Sequence, residues 1–413
     1  DTLLCPVESV VPLARQIYQK TEGNPFFTTQ FLQGLHREGL ITFEADIGYW
    51  QCDLAAVQQL ALTDDVVDFM IARLRKLPTA TRTALMLAAC IGNQFDLATL
   101  AVVTQKSQSE TAADLWQGLQ EGFVIPESEI YKFFQGDQRE GKRVGEGLVG
   151  YRFLHDRVQQ AAYALIQSEK KQETHWEIGQ KLLASVPRDV TLSLALQKTP
   201  QKTSPTTSEA ASNTTVLGNA EHKLPSNIDW PLFEIVDQLN AGSSLTTAVG
   251  DGEATHEESR QQLIQLNLLA GQQAKAATAY VAALAYFQAA NALLLVDSWA
   301  TDYALTLGLK CETIETAYLS LSLASVESVM AEVLSNAHNL LDKIKVYEIQ
   351  IQAAIGENRL IEAVNRGFEV LEQLGITLLN PDEITITLPP LEALDSVPLM
   401  RDPAKVAALR ILV

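Results

Sequence analysis

Val149-Gly-Tyr-Arg-Phe-Leu-His-Asp-Arg-Val-Gln-Gln-Ala-Ala-Tyr163 decides how the first half of this chain folds. Val149 to Leu154 reads as a strand, and a helix starts at about 156 with almost no linker between them. Upstream, Gly122-Phe-Val-Ile-Pro126 reads as a second strand, and the polar, Gly-rich stretch 127–148 separates the two. Before the hairpin, Asp64 or Asp65 can cap a helix over 66–77, Thr79 to Ile91 follows Pro78, Asp96 begins a helix to about Thr104, and Ser107 to Glu121 forms another. Three helices followed by a hairpin with a long tip is the order of a winged helix.

Toward the N-terminus, helices are expected over 8–19 and 26–38, separated by Thr21-Glu-Gly-Asn-Pro25, whose Gly and Pro punctuate the chain. Ile41-Thr-Phe43 and Tyr49-Trp-Gln51 suggest a short hairpin. Toward the C-terminus, helices over about 156–168 and 171–186 close this half. Residues 196–228 are crowded with Thr, Ser, Pro, Lys, Gln and Asn and are expected to form a disordered insertion. From about 229 the chain is Ala- and Leu-rich, with a soft spot over 242–258. Segments beginning at Leu284, Leu323 and Leu360 lie 39 and 37 residues apart. That spacing suits stacked helix pairs in a TPR-like array, with an ordinary bundle as the plainer alternative. Pro381, Pro389, Pro390 and Pro398 break up 376–400, which reads as a linker. The expected divisions are therefore 1–63, 64–192, 193–228, 229–375 and 376–413, in a mainly α-helical chain.

The 413 residues exceed one typical core, and at 47% apolar and 20% charged they have ample material for two or three. A formal charge of -19 repels a phosphate backbone, which argues against nucleic acid as a partner. The helix over 107–121 adds to this, carrying Glu110, Asp114 and Glu121 and no Lys or Arg. Trp116 and Leu119 on it are expected in the core. Cys5, Cys52, Cys90 and Cys311 form no C-x-x-C pair, so neither a disulfide scaffold nor a zinc site is signalled. No stretch is long and apolar enough to span a bilayer, and the start lacks a secretory pattern, so the expected location is cytoplasmic. A start at Asp1 and an end inside an unfinished helix read as a fragment of a longer protein.

The sequence contains no G-x-x-x-x-G-K-[ST], H-E-x-x-H, G-x-S-x-G, or H-R-D with D-F-G. A complete hydrolase or kinase site is not expected. Lys20-Thr-Glu-Gly-Asn-Pro-Phe-Phe27 and Tyr151 to Tyr163 resemble the central STAND/AAA-type ATPase region of large bacterial signalling proteins. In these a serine/threonine kinase precedes the ATPase and a sensor histidine kinase follows. Trp50-Gln-Cys-Asp, Asp64-Asp-Val-Val-Asp, Ala88-Ala-Cys-Ile-Gly-Asn and Ala270-Gly-Gln-Gln-Ala-Lys-Ala resemble it in the same order. The resemblance covers roughly 8–192 and 229–375; the Thr/Ser/Pro-rich stretch between is longer than the family suggests.

The resemblance implies that the phosphate-binding half of the ATPase lies before Asp1, and that bound ATP or ADP is completed there with no metal site in this piece. It implies that Gly23 and Pro25 belong to the lid against adenine, and that His155, of the His155-Asp156 pair, faces the diphosphate. A strand meeting a helix N-terminus favours anions. Plainer readings stay open: Gly23-x-Pro25 as a helix-breaking turn, Asp156 as a helix cap, His155 as a core histidine. Phe153-Leu-His-Asp-Arg also superficially resembles a histidine-kinase phosphoacceptor box, but no proline follows at the expected position. The function implied is a non-catalytic switch coupling nucleotide state to flanking kinase and sensor domains, with protein partners on the helical array. The alternative is an interaction scaffold with a degenerate ATPase remnant.

Overall fold

In the first half of the chain, Pro25, Pro78, Asp96 and Ser107 stand where helices begin. The computed structural model describes residues 7–46, 48–60, 66–127, 149–186, 232–244, 253–376 and 400–412. Among them eighteen α-helices stand against five short strands, so the chain is mainly helical. It divides into two compact units, Asp1–Ser185 and Val186–Val413.

In the first unit, α1 (Val7–Thr21) and α2 (Pro25–Arg37) are joined by a turn in which Glu22 and Gly23 both take left-handed backbone, φ 50 and 78. The Asn24 side-chain oxygen accepts from the Phe27 N–H at 3.4 Å, and Pro25 fills the first helical position, where its missing N–H is harmless. Strands β1 (Ile41–Glu44) and β2 (Tyr49–Cys52) pair antiparallel with Ile41 opposite Cys52, and α3 (Leu54–Leu60) follows. Leu13, Ile17, Phe31, Leu35, Ile41 and Val57 form a small core among these elements.

Next come α4 (Val66–Arg75), whose expected caps Asp64 and Asp65 lie outside the described residues, and α5 (Thr79–Ile91). Strand β3 (Gln94–Asp96) leads into α6 (Leu97–Thr104), capped by Asp96, which accepts from the Thr99 N–H at 2.7 Å. Helix α7 (Gln108–Gln120) opens on a full capping box between Ser107 and Glu110. Strands β4 (Val124–Pro126) and β5 (Gly150–Phe153) pair antiparallel, and β3 pairs with the other edge of β5. The sheet order β3-β5-β4 adds a strand to the expected hairpin. Except for Glu127, the polar stretch 127–148 lies outside the described residues. After β5, α8 (Asp156–Ala164) and α9 (Lys171–Ser185) complete the unit. Fully buried Leu85, Leu97, Leu100, Leu115, Phe123, Tyr151 and Phe153 weld these helices to the sheet. Truncating any one of the leucines to Ala should cost about 2–5 kcal/mol.

The second unit contains α10 (Leu232–Ala241), α11 (Glu253–Ala276), α12 (Tyr280–Ala292), the short α13 (Ser298–Thr301), α14 (Tyr303–Leu319), α15 (Glu327–Asn336), α16 (Leu340–Gly356), α17 (Leu360–Gln373) and α18 (Pro403–Leu412). One helix-ending turn recurs four times, the last at Gly375, φ 76, where the Ile376 N–H reaches the Leu371 carbonyl at 2.9 Å. Thr278, Leu321 and Asn358 are left-handed, φ 61, 58 and 59. After each, the next N–H reaches back to a helix carbonyl: Ala279 to Ala274 at 2.9 Å, Ser322 to Ala317 at 2.8 Å, Arg359 to Ala354 at 2.7 Å. Three of these turns end α11, α14 and α16, and Gly39, Gln105 and Gly122 of the first unit end helices in the same way. The expected register is corrected at one place. Leu323 and Leu360 both follow a turn residue by two positions, but Leu284 lies inside α12, because that helix already begins at Tyr280. The insertion expected over 196–228 and nearly all of the linker over 376–400 lie outside the described residues.

Polar ties cross between the helices. Lys275 of α11 reaches Glu312 and Glu315 of α14 at 2.8 and 2.6 Å, Lys345 of α16 reaches Glu315 at 2.6 Å, and Arg410 of α18 reaches Glu348 of α16 at 2.7 Å. The approach of α11 to α12 is close enough to demand glycine: a Cβ on Gly271 would lie 2.4 Å from the Phe287 ring.

Candidate functional site

β5 ends at Phe153, the chain bends at Leu154 and His155, and His155 itself is extended, φ -155 and ψ 147, before α8 begins. His155 is therefore the N-cap. Its Nδ1 accepts from the Arg157 N–H at 3.2 Å, and its carbonyl accepts from Val158 at 2.8 Å. This corrects the expectation that Asp156 caps the helix. Asp156 is the first helical residue, exposed, with its carboxylate at the positive end of the helix. With Nδ1 accepting, a neutral ring carries its proton on Nε2, so Nε2 is the donor. His155 is half-buried, neither a fully enclosed core residue nor a surface one.

The two stretches of the candidate site meet through one side chain. Phe27, two residues past Pro25 and buried, lays its ring 4.8 Å from that of His155, tilted by 57°. Phe27 also packs with Met70 and Leu74 of α4 in the larger core. Gly23 and Pro25 are exposed at the start of the same helix. The turn geometry they need is explained locally by the Asn24 cap and the left-handed Gly23.

A polar latch holds α2 against the rest of the unit. Arg73 of α4, its side chain 10% exposed, donates to Gln30 of α2 and to Glu121 at 2.9 Å, and Arg37 of α2 also pairs with Glu121. The Arg73 guanidinium sits 5.0 Å from the Phe123 ring centre. Burial pushes its pKa down, opposed by the neighbouring Glu121 carboxylate. Sequence patterning missed this latch because its members lie on three separate elements; a lone Arg beside an apolar stripe is the only local hint.

For a diphosphate, the fit is mixed. Nε2 of His155, the α8 N-terminus and exposed Arg157 favour an anion, whereas exposed Asp156 opposes one. The acidic side chains of α7 and its C-cap serve structure: Glu110 caps its own helix, Asp114 pairs with Lys106 at 2.6 Å, and the C-cap Glu121 holds the latch. Trp116 is 41% exposed, not core as expected, because the buried stripe is centred on Thr111, Leu115 and Gly118, about 100° or more round the helix from it. Leu119 does pack against the core. Burial holds the Cys90 thiol up at about 12 and the Cys311 thiol up at about 11, so both stay protonated and unreactive at neutral pH. Among the described residues no group of three or more His, Cys, Asp or Glu side chains is placed to hold a metal ion, and no helix is long and apolar enough to cross a membrane.

No family model matches the chain, and no solved structure matches it. It is similar to hybrid signal transduction histidine kinase G of Dictyostelium discoideum, 25% identical over 423 aligned positions. That similarity covers 93% of this chain and 11% of the relative, so the chain spans a small part of the protein it matches. A signal-transduction histidine kinase is thus the context in which a similar sequence occurs.

Proposed function

We propose that this chain is a non-catalytic regulatory part of a larger signalling ATPase and kinase, in which lid helices and a winged helix in the first unit read the nucleotide state. A TPR-like helical array in the second unit then relays that state to flanking serine/threonine kinase and histidine kinase modules. ATP or ADP would be held mainly by a phosphate-binding core outside this chain. Gly23 and Pro25 would face the adenine, and His155 would donate from Nε2 to the diphosphate. The observation that carries the reading is the Phe27–His155 contact, since it brings the start of α2 against the strand–helix junction. A shift of the start of α2 on nucleotide exchange would then be felt at the His155 ring, and the reverse. Similarity to a signal-transduction histidine kinase supports the context; because that relative comes from Dictyostelium, a bacterial setting gains nothing from it.

Amide exchange in the full-length protein tests the reading. ADP should raise protection at Thr21–Thr28 and at Arg157–Gln159 together. Protection at neither segment, in a protein that demonstrably binds ADP, would refute it.

The scaffold reading, in which the ATPase is a degenerate remnant and the array binds proteins, is favoured by one feature. The apolar face of α17 carries Leu360, Ile361, Val364 and Phe368 in the open.

A further inference from the structure

Lys345 of α16 lies between two carboxylates that are unequally supplied with donors. Its Nζ is 2.6 Å from Oε1 of Glu315 on α14 and 4.0 Å from Oε2 of Glu348, three residues further along its own helix. Glu315 has a second donor, since Lys275 of α11 reaches its Oε2 at 2.6 Å. Glu348 is the poorer of the two. It is 7% exposed, its Oε2 accepts from Arg410 at 2.7 Å, and its Oε1 is out of solvent and meets no donor. A buried carboxylate oxygen without a donor is unfavourable, and folded proteins leave few of them.

The two carboxylates lie within one swing of a flexible side chain. Closing the gap to Glu348 down to hydrogen-bond length takes about 1 Å of movement by the ammonium group. On Glu315 the lysine ties α16 to α14; on Glu348 it makes an i, i+3 pair within α16. Neither position strands a charge. Glu315 keeps Lys275 when Lys345 leaves, and Glu348 then gains a donor from inside the fold.

We propose that Lys345 is a two-position switch at the junction of α14 and α16: on Glu315 it couples the two helices, and on Glu348 it uncouples them and relieves that buried carboxylate. The ties on either side, Lys275 with Glu312 at 2.8 Å and Arg410 with Glu348, persist in both positions. Tension that draws α16 from α14 therefore selects the second position, and the second unit has a compliant joint at this crossing. The inference stands apart from the nucleotide reading, and either can fail alone.

Amide exchange over α16 in the 413-residue chain, read by mass spectrometry, tests it. Glu315→Met takes the α14 carboxylate away, so Lys345 should settle on Glu348. Adding Lys345→Met to that variant should lower the protection of α16 at least about threefold, and the loss should vanish when Glu348→Met is also present. A lysine with one position only gives a different result: with Glu315 gone it is idle, and its removal changes nothing. Circular dichroism should show the variants folded, because Lys275 keeps Glu312 and the half-exposed Arg410 can turn to water. Glu315→Gln, which preserves an acceptor for Lys275, provides the same comparison if Glu315→Met does not fold. Lys345→Met without effect in the Glu315 variant, or a loss of protection that persists without Glu348, would overturn the proposal.

Discussion

At Gly271 a single missing methyl group lets two helices touch. Adding it forces the Phe287 ring or the α11 backbone to move, and overpacking of this kind costs about 1–3 kcal/mol. Gly271→Ala should lower the melting temperature of the second unit by several degrees, and Phe287→Leu added to it should recover part of the loss. Either a neutral Gly271→Ala or no recovery in the double variant would show that the crossing is looser than described. His155 carries two roles that substitution can separate. His155→Ala removes the cap and should cost about 0.5–2 kcal/mol, whereas His155→Asn keeps a capping oxygen and should restore most of that stability. Equal melting temperatures for the two variants would contradict the capping role. Resemblance singled out this histidine, and its place between strand and helix fitted that reading, but the sequence hid which residue caps. An aspartate followed the histidine, and aspartate is the commoner cap; only the extended φ and ψ of His155 decide the matter.

Elements held by charge should respond to charge. Removing Arg73 leaves Gln30, 6% exposed, and Glu121 short of a donor, an effect of about 1–3 kcal/mol. Arg73→Met should therefore speed amide exchange in α2 while α5 to α8 stay protected, and uniform loosening of the whole unit would argue against a discrete latch. In the second unit, burial works against the Glu315 charge, but hydrogen bonds from Lys275 and Lys345 outweigh it, so its pKa lies below the ordinary 4.5. A lowered folded pKa means a contribution present above the unfolded value and lost as pH falls through the folded one. Lys275 is the mirror case: burial lowers its pKa, Glu312 and Glu315 more than reverse this, and its contribution is lost only above the ordinary 10.5. The second unit should thus weaken on acidification below about pH 4.5, and Glu315→Gln should flatten that limb in urea titrations read by circular dichroism. An unchanged acid limb would assign it to other carboxylates. Long helices with clear boundary residues were legible: α5 and α7 begin where Pro78 and Ser107 put them. The strand β3 was not, since Gln94-Phe-Asp96 is too short to alternate and acquires its identity only by pairing with β5. Nor were the turns after α11, α14 and α16, whose left-handed positions are held by Thr278, Leu321 and Asn358 instead of glycine.

Each unit of the molecule has its own apolar core, Phe95, Leu115 and Phe153 in the first, Ile314, Val333 and Ile349 in the second. Residues 1–185 and 186–413 expressed apart should each unfold cooperatively, and a first unit that stays unfolded alone would show the division to be misplaced. The functional account depends on the first unit sensing nucleotide held by a larger protein, and a sequence without the phosphate-binding loop could supply that only through resemblance. Composition and periodicity reveal helices and cores because burial drives both; they do not reveal a ligand that is bound mostly by residues elsewhere. The most direct test is ADP dissociation from the full-length protein carrying His155→Asn, the variant that keeps the cap. A hydrogen bond to a charged group is worth about 1.5–3 kcal/mol, so its loss should speed ADP release by about ten- to a hundredfold at an unchanged melting temperature. ADP release at the wild-type rate from an equally stable protein would contradict the account.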